Sequence, residues 1–158
     1  MQIPSEIDSE FISVHARLLL YSYCNVTGLE SPVSTASDDP DSLAAALFFA
    51  SFALVSHTTA PDPVFNFGNR TALTLFEMPW QKFTCLPSRF SAEPENRETR
   101  AALLRQVSEK GFIDNYSGIR ISATGKRFRI HEAVVWNLRD AQGVYHGQAA
   151  LFRRWSYL

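Results

Sequence analysis

Along residues 5–24, apolar side chains recur at Phe11, Val14, Leu18 and Tyr21. This spacing predicts an amphipathic N-terminal helix, with Ser5 and Asp8, three residues on, as its cap. Residues 28–41 lose large apolar side chains and fill with Ser, Pro and Asp, the composition of a connecting segment. The pattern divides the chain into a helix with its linker, 1–40, and a body, 41–158. In the body a short helix starts near Asp41, and the mostly apolar run 52–57 reads as a buried strand. The turn Pro61-Asp62-Pro63 then leads to a short second strand, 64–67. Gly68 breaks that strand, and Asn69 is a good N-cap for a helix through Leu73, Leu75 and Phe76 that stops at Pro79. One further turn follows at 80–83, and residues 85–92 read as a loop. From Pro94 strong helix formers run to Gly111, with Pro suited to the first turn and Gly to the end.

Three β-like segments close the chain, 112–123, 126–138 and 144–157, joined by Thr124-Gly125 and by Asp140-Ala141-Gln142-Gly143. Connections this short make two consecutive antiparallel hairpins. The order predicts an α+β domain, one antiparallel sheet with helices grouped on one face, plus the N-terminal amphipathic helix. On the middle segment, strict alternation puts Phe128, Ile130, Glu132, Val134, Trp136 and Leu138 on one face, the more apolar one, which is assigned to the core. Arg127, Arg129, His131, Ala133, Val135 and Asn137 share the other, where the N-terminal helix covers the part near Val135.

At 158 residues, with 46% hydrophobic and 20% charged residues, the chain is long enough to bury one core and too apolar to remain disordered. Fifteen Lys and Arg against sixteen Asp and Glu leave a net charge of -1, so no global field draws it to nucleic acid or to anionic lipid. Cys24 and Cys85 lie far apart with no His at metal-ligand spacing, which predicts reduced thiols and no metal site. The first ten residues carry no basic, apolar leader pattern, and the apolar run 43–55 is too short to cross a bilayer, so a cytoplasmic location is expected.

From His57 to Phe152 the landmarks resemble a PAS domain. Pro63-Val64-Phe65-Asn66-Phe67-Gly68-Asn69 looks like the second strand and its exit into the first helix, and Leu75-Phe76 like that helix's end. Gly111 stands before the third strand, and Thr124-Gly125-Lys126 and Asp140-Ala141-Gln142-Gly143 look like the last two turns. Closer still, the segments SHTTAPDPVFNFGNRTAL, LPSRFSAEPENRETRAALL, GFIDNYSGIRIS, GKRFRIHEAVVWNL and GQAALFRRWSYL resemble the blocks of the MEKHLA domain. That PAS-related family occurs in bacteria and photosynthetic organisms and at the C-terminus of plant homeodomain leucine-zipper proteins. The string Met-Glu-Lys-His-Leu-Ala itself is absent here. The resemblance implies a stand-alone sensory or signalling domain with a small-molecule cavity between sheet and helices, acting through a homodimer or a signalling partner. It names no ligand, and the cofactor is left open. Light-sensing PAS relatives form a cysteinyl flavin adduct at Asn-Cys-Arg-Phe, whereas this chain reads Pro87-Ser88-Arg89-Phe90, so a covalent flavin adduct is disfavoured for want of a thiol.

Five residues are the candidates to line the implied pocket: His57, Trp80, Tyr116, Arg120 and Trp136. His57 ends a buried strand and can serve as a ligand-facing group, an iron ligand or a hydrogen-bonded structural residue. The two tryptophans and Tyr116 can stack on a flat ligand or fill core. Arg120, with Arg127 and Arg129, can form a basic patch for an acidic partner, a carboxylate or a phosphate, or belong to a solvated sheet face. No GxSxG, HExxH, P-loop or dinucleotide pattern is present, and His131 and Glu132 point to opposite faces, so no enzyme is expected. The alternative to a sensor is a ligand-free interaction or dimerisation module, with the space between Trp80, His57 and Trp136 packed solid. The outsider is a small enzyme with a pocketed acid or base.

Overall fold

The computed structural model describes residues 2–34 and 39–158, so residues 35–38 of the expected linker lie outside the described residues. The first helix, α1 (Ser9–Thr27), is capped by Asp8, whose side chain accepts from the Phe11 amide at 3.0 Å; Ser5 takes no part in that bond. Gly28, at φ 72, ends the helix. Two apolar arcs run along α1, and the sheet takes the one not expected. Phe11, Val14 and Tyr21 are exposed, whereas Ile12, Ala16, Leu19 and Tyr23 are buried. The buried arc carries Ala16 and Ser22, small residues that let the helix backbone approach the sheet.

Helix α2 (Pro40–Phe48) has Pro at its start and Asp39 as cap, accepting from the Asp41 amide at 3.2 Å. Then come β1 (Ala53–His57), β2 (Phe65–Gly68), α3 (Arg70–Phe76), α4 (Trp80–Phe83), a 3-10 turn (Ser88–Ser91) and α5 (Pro94–Lys110). The chain closes with β3 (Phe112–Ile121), β4 (Arg127–Arg139), β5 (Tyr145–Phe152) and β6 (Arg154–Tyr157). Asn69 caps α3 and does more: its side-chain oxygen accepts from Ala72 and Leu54, and its amide donates to the carbonyls of Leu47 and Phe52. One fully buried side chain thereby joins α2, β1 and α3.

All strand pairs are antiparallel, in the order β2-β1-β5-β4-β3, with β6 beside the first half of β4. The third β-like segment of the sequence is thus two strands, β5 and β6, bent at Arg153. Two cores flank the sheet. On one face Leu54, Phe67, Trp136, Leu138 and Leu151 pack against α1 and α2. On the other, Val55, Phe65, Phe128, Ile130, Ala133 and Phe152 pack against α3 and α4, and Val135 against Leu103 and Val107 of α5. Helix α2 therefore joins α1, opposite the other helices.

Strict alternation on β4 fails at Glu132, which sits at φ 52. Phe128 and Ile130 face the α3–α5 side, and beyond Glu132 that side is taken by Ala133 and Val135, while Trp136 and Leu138 turn to α1. The expected single apolar face is split in two. Near Val135 the covering helix is α5, not α1. The neighbouring strand yields at the same place: β3 is irregular on both sides of Tyr116, with Asn115 at φ 57.

Candidate functional site

A cavity of about 60 Å³ lies between α5, the 3-10 turn and the sheet. His57, Ser91, Arg100, Tyr116, Arg120 and Gln148 bring polar atoms to it; Val55, Phe65, Phe76, Ile130, Val135 and Phe152 are among its apolar walls. Each polar residue is delivered by a different local device. His57 lies on the same side of β1 as Ala53 and Val55, facing the α3–α5 core. Across from it, β5 comes so close that a Cβ at Gly147, which sits at φ 120, would collide with the His57 carbonyl oxygen. Gly118 on β3 is likewise covered by the Tyr116 ring. Arg120 stands opposite Phe128 in the β3–β4 pairing and shares its inward direction.

The buried hydrogen bonds fix the histidine tautomer. The amide nitrogen of Gln148 shares its two N–H groups among Leu104 O, Ser108 Oγ and Asn137 Oδ1, each at 3.1 Å, which leaves its oxygen to accept from His57 Nε2 at 3.3 Å. His57 Nδ1 then accepts from the Ser88 hydroxyl at 3.1 Å, and Ser88 Oγ accepts from Arg100 Nη2 at 2.8 Å. Burial first, and the Arg100 charge second, lower the His57 pKa to about 4, so the ring is neutral at neutral pH.

Arg100 is 8% exposed and Arg120 9% exposed. Burial, and then the charge of Arg120, lower the Arg100 pKa to about 10, which still leaves it cationic. Arg120 donates to Ile119 O at 2.8 Å and to the Tyr116 hydroxyl at 3.2 Å. Among the described residues neither guanidinium has a carboxylate within ion-pair distance. Ion pairs elsewhere among the described residues include Arg89–Asp62, Lys126–Glu77, Arg127–Glu93, His146–Asp140 and Arg154–Glu132. A buried ion left uncompensated costs several kcal/mol.

Of the five residues expected to line a pocket, His57, Tyr116 and Arg120 meet at this cavity and the two tryptophans do not. Trp136 faces α1, where its indole donates to Ser22 Oγ at 3.1 Å and its ring meets Tyr23 edge-on. Trp80 packs edge-on against Phe67, in the same α1-side core. The sheet stands between them and His57, so the expected Trp80–His57–Trp136 space does not exist. The expected basic patch also divides: Arg120 turns inward, Arg127 reaches Glu93 at 3.7 Å, and Arg129 is exposed. Arg100 and Gln148 were missed. Arg100 occupies a stripe with Leu103, Leu104 and Val107 at helical spacing, and Gln148 alternates with Ala150 and Phe152, so periodicity pointed both inward. Among the described residues no three His, Cys, Asp or Glu side chains are placed to hold a metal ion, and no helix is long and apolar enough to cross a membrane.

Sheet order, helix placement and cavity define a PAS-type domain. The fold is similar to the PAS domain of a protein from Colwellia psychrerythraea, with a TM-score of 0.60, 13% identity, and 73% of this chain and 92% of that chain covered. It is also similar to the dark structure of the blue-light photoreceptor Aureochrome1 LOV, with a TM-score of 0.54, 22% identity, and 82% and 87% covered. Identities this low establish the fold alone. Residues 13–157 match the MEKHLA domain, and the chain belongs to that family. Homeobox-leucine zipper protein ATHB-15 of Arabidopsis thaliana is 24% identical over 143 residues. The match covers 90% of this chain and 17% of that protein. The chain is thus a PAS-like MEKHLA domain that spans a small part of such a relative's length.

A flavin of the kind light-oxygen-voltage domains use does not fit this cavity. Its volume is about 60 Å³, against roughly 300 Å³ or more for sites that take larger ligands. Ser88, which the sequence resemblance sets against the adduct-forming thiol of light-sensing relatives, is engaged between His57 and Arg100.

Proposed function

We propose that this domain is a non-catalytic sensory module that takes a small ligand in the cavity beside α5 and passes its state to a second copy of the chain through α1. The cavity carries the reading: convergent polar groups from β1, β3, β5 and α5 meet an apolar wall at one buried point. The neutral His57, with both ring nitrogens in hydrogen bonds, supports a structural role over acid–base catalysis. On the opposite face, Phe11, Val14, Leu18 and Tyr21 repeat at alternating steps of three and four, the seam spacing of paired helices, and three of the four are exposed. That seam supports a homodimer, and it equally supports a plain dimerisation module without ligand. A reducing, cytoplasmic setting fits the two free cysteines, and the net charge of -1 fits a partner that is neither nucleic acid nor lipid.

The experiment is light-scattering mass combined with a thermal-shift screen of small metabolites on the full chain and its Val14→Glu variant. The expected result is a dimer that Val14→Glu, a surface change, turns into a folded monomer, together with at least one metabolite that raises the Tm. A monomer at all concentrations removes the proposed route of output, and a dimer with no responsive metabolite leaves the dimerisation module as the reading.

A further inference from the structure

We infer that the α5-side cavity is a receptor site for a small carboxylate held between the guanidiniums of Arg100 and Arg120. The inference rests on the sensory reading only in using the same cavity.

Charge carries it furthest. Two guanidiniums, each more than nine-tenths buried, line one small cavity without a carboxylate in ion-pair distance of either among the described residues. Arginine cannot relieve this by losing its proton at neutral pH. Glu93, the acid next to the start of α5, is directed to Arg127 instead. An oxyanion between the two side chains would supply the missing countercharge, in the bidentate geometry guanidinium favours.

Donor count agrees. Among the described residues Arg100 makes one hydrogen bond within the protein, to Ser88, and Arg120 makes two; none of their other guanidinium nitrogens is both fully buried and unpartnered, so most of their ten N–H groups are open to an incoming acceptor. The Tyr116 hydroxyl accepts from Arg120 and keeps its own hydrogen to donate. The other polar groups are spent: the two amide N–H groups of Gln148 are shared among three protein acceptors, and Ser91 donates to Ser88 O. His57 is neutral and bonded at both nitrogens, so it brings no second positive charge.

Size and wall chemistry set the class. A cavity of about 60 Å³ is small, which favours an anion such as formate or acetate over a dicarboxylate or an aromatic acid. Val55, Ile130 and Phe152 give an apolar surface suited to a short alkyl group. Nitrate or bicarbonate shares the planar oxyanion chemistry but leaves that surface without a partner.

The test is titration of the full chain with sodium formate, acetate and nitrate, each against acetamide, the neutral shape-match of acetate. Backbone amide NMR shifts and Tm are followed in a buffer whose anions are too large for the cavity. The expected result is saturable shifts at residues around Arg100, Tyr116 and Arg120 with acetate, a rise in Tm, and no response to acetamide. Arg100→Gln and Arg120→Gln remove charge-assisted hydrogen bonds, so half-saturation moves up by about ten- to hundredfold. In anion-free buffer each variant relieves repulsion between the two cations but loses the parent's bonds to Ser88, or to Ile119 O and the Tyr116 hydroxyl, so the acetate response of each is read as a rise from its own anion-free Tm. Acetate acting alone assigns a carboxylate, and nitrate acting equally assigns an inorganic oxyanion of the same chemistry. No saturable response to any of the three, an equal response to acetamide, or unchanged half-saturation in both variants overturns the inference. A metabolite that stabilises the protein while all three anions are silent would sink the anion and keep the sensor; an anion response in a chain that never dimerises would do the reverse.

Discussion

His15 and His57 are buried on opposite faces of the sheet, and each has a pKa lowered to about 4, burial being the largest cause in both cases. His15 Nε2 is 2.8 Å from Ser56 Oγ, and its ring stacks on Phe11. Acid titration therefore reads both cores at once. Above pH 6.5 both histidines are neutral whether the chain is folded or not. Between 6.5 and about 4 the unfolded chain takes up two protons that the native state refuses, so stability falls as pH falls; below about 4 this contribution is fully lost. A drop from 6.5 to about 4 is worth on the order of 3 kcal/mol per histidine. The pair thus bears on much of the 5–15 kcal/mol, roughly, that a domain possesses. Between pH 7.5 and 5.5 the expected loss is about 3 kcal/mol, read from urea unfolding followed by tryptophan fluorescence. The depressed carboxylates act elsewhere. Glu77, held to about 2 by hydrogen bonds from Thr124 and Ser122, and Asp140, lowered chiefly by its bond from His146, lose their contributions below 4.5 and 3.8 respectively. Replacing either His15 or His57 by Gln should halve the loss between pH 7.5 and 5.5, and replacing both should abolish it. A flat wild-type profile over that range, or a loss that survives undiminished in the double variant, refutes the reasoning.

Three further changes test the frame. Asn69→Ala strands the carbonyls of Leu47 and Phe52 and the amides of Leu54 and Ala72 in a fully buried setting; the expected cost exceeds about 3 kcal/mol in urea unfolding, and a cost below about 1 contradicts the assigned role. Gly147→Ala places a methyl group on the His57 carbonyl at a positive φ; a loss of about 2 kcal/mol or more is expected, with Tm as the readout, and an unchanged Tm would mean that β1 and β5 do not approach as described. Glu132→Gly should do the opposite, stabilising by up to about 1 kcal/mol in urea unfolding, because Glu132 sits at φ 52 and its ion pair with Arg154 is exposed. A loss of stability there would show that the ion pair outweighs the backbone strain.

Much of the fold was legible because local signals and tertiary structure agree. The Asn69 cap, the single turn at Trp80–Phe83 and the span from Pro94 to Gly111 all lie where capping and breaking residues put them. Facing was less legible wherever the choice was made by a distant partner. Helix α1 offers two apolar arcs, and only the shape of the sheet selects the one with Ala16 over the one with Val14. Strand β4 was read with an unbroken period of two, and the positive φ at Glu132 carries no glycine to announce it. That one irregularity turned Trp136 from an expected pocket residue into a contact of α1. Of the cavity, His57 came from its place at the end of a strand, Tyr116 as an aromatic able to stack and Arg120 as part of an expected basic patch, but Arg100 stood on a helix valued for its ends and not read for its buried stripe.

The same irregularity gives the proposed sensor a physical means of output. Beyond Glu132, adjacent residues of β4 and β5 serve opposite sides of a layer one strand thick. Asn137 and Gln148 bond to each other and to α5, through Val107 O and Leu104 O, while Trp136 and Leu151 lie under α1 and α2. An anion drawing Arg100 of α5 toward Arg120 of β3 would strain the Asn137–Gln148 cross-link, and neither residue can shift without carrying its neighbour on the other face. Trp136 is tied to Ser22 of α1 by a buried hydrogen bond, so such a displacement would arrive on the helix whose outer seam is proposed to meet a second copy. Packed side chains transmit such shifts because interiors of this density do not absorb them. In a protein with an unbroken β4, Trp136 would share a face with Phe128 and Ile130, and the strand would present α1 with Val135 in place of the indole that now bonds to it.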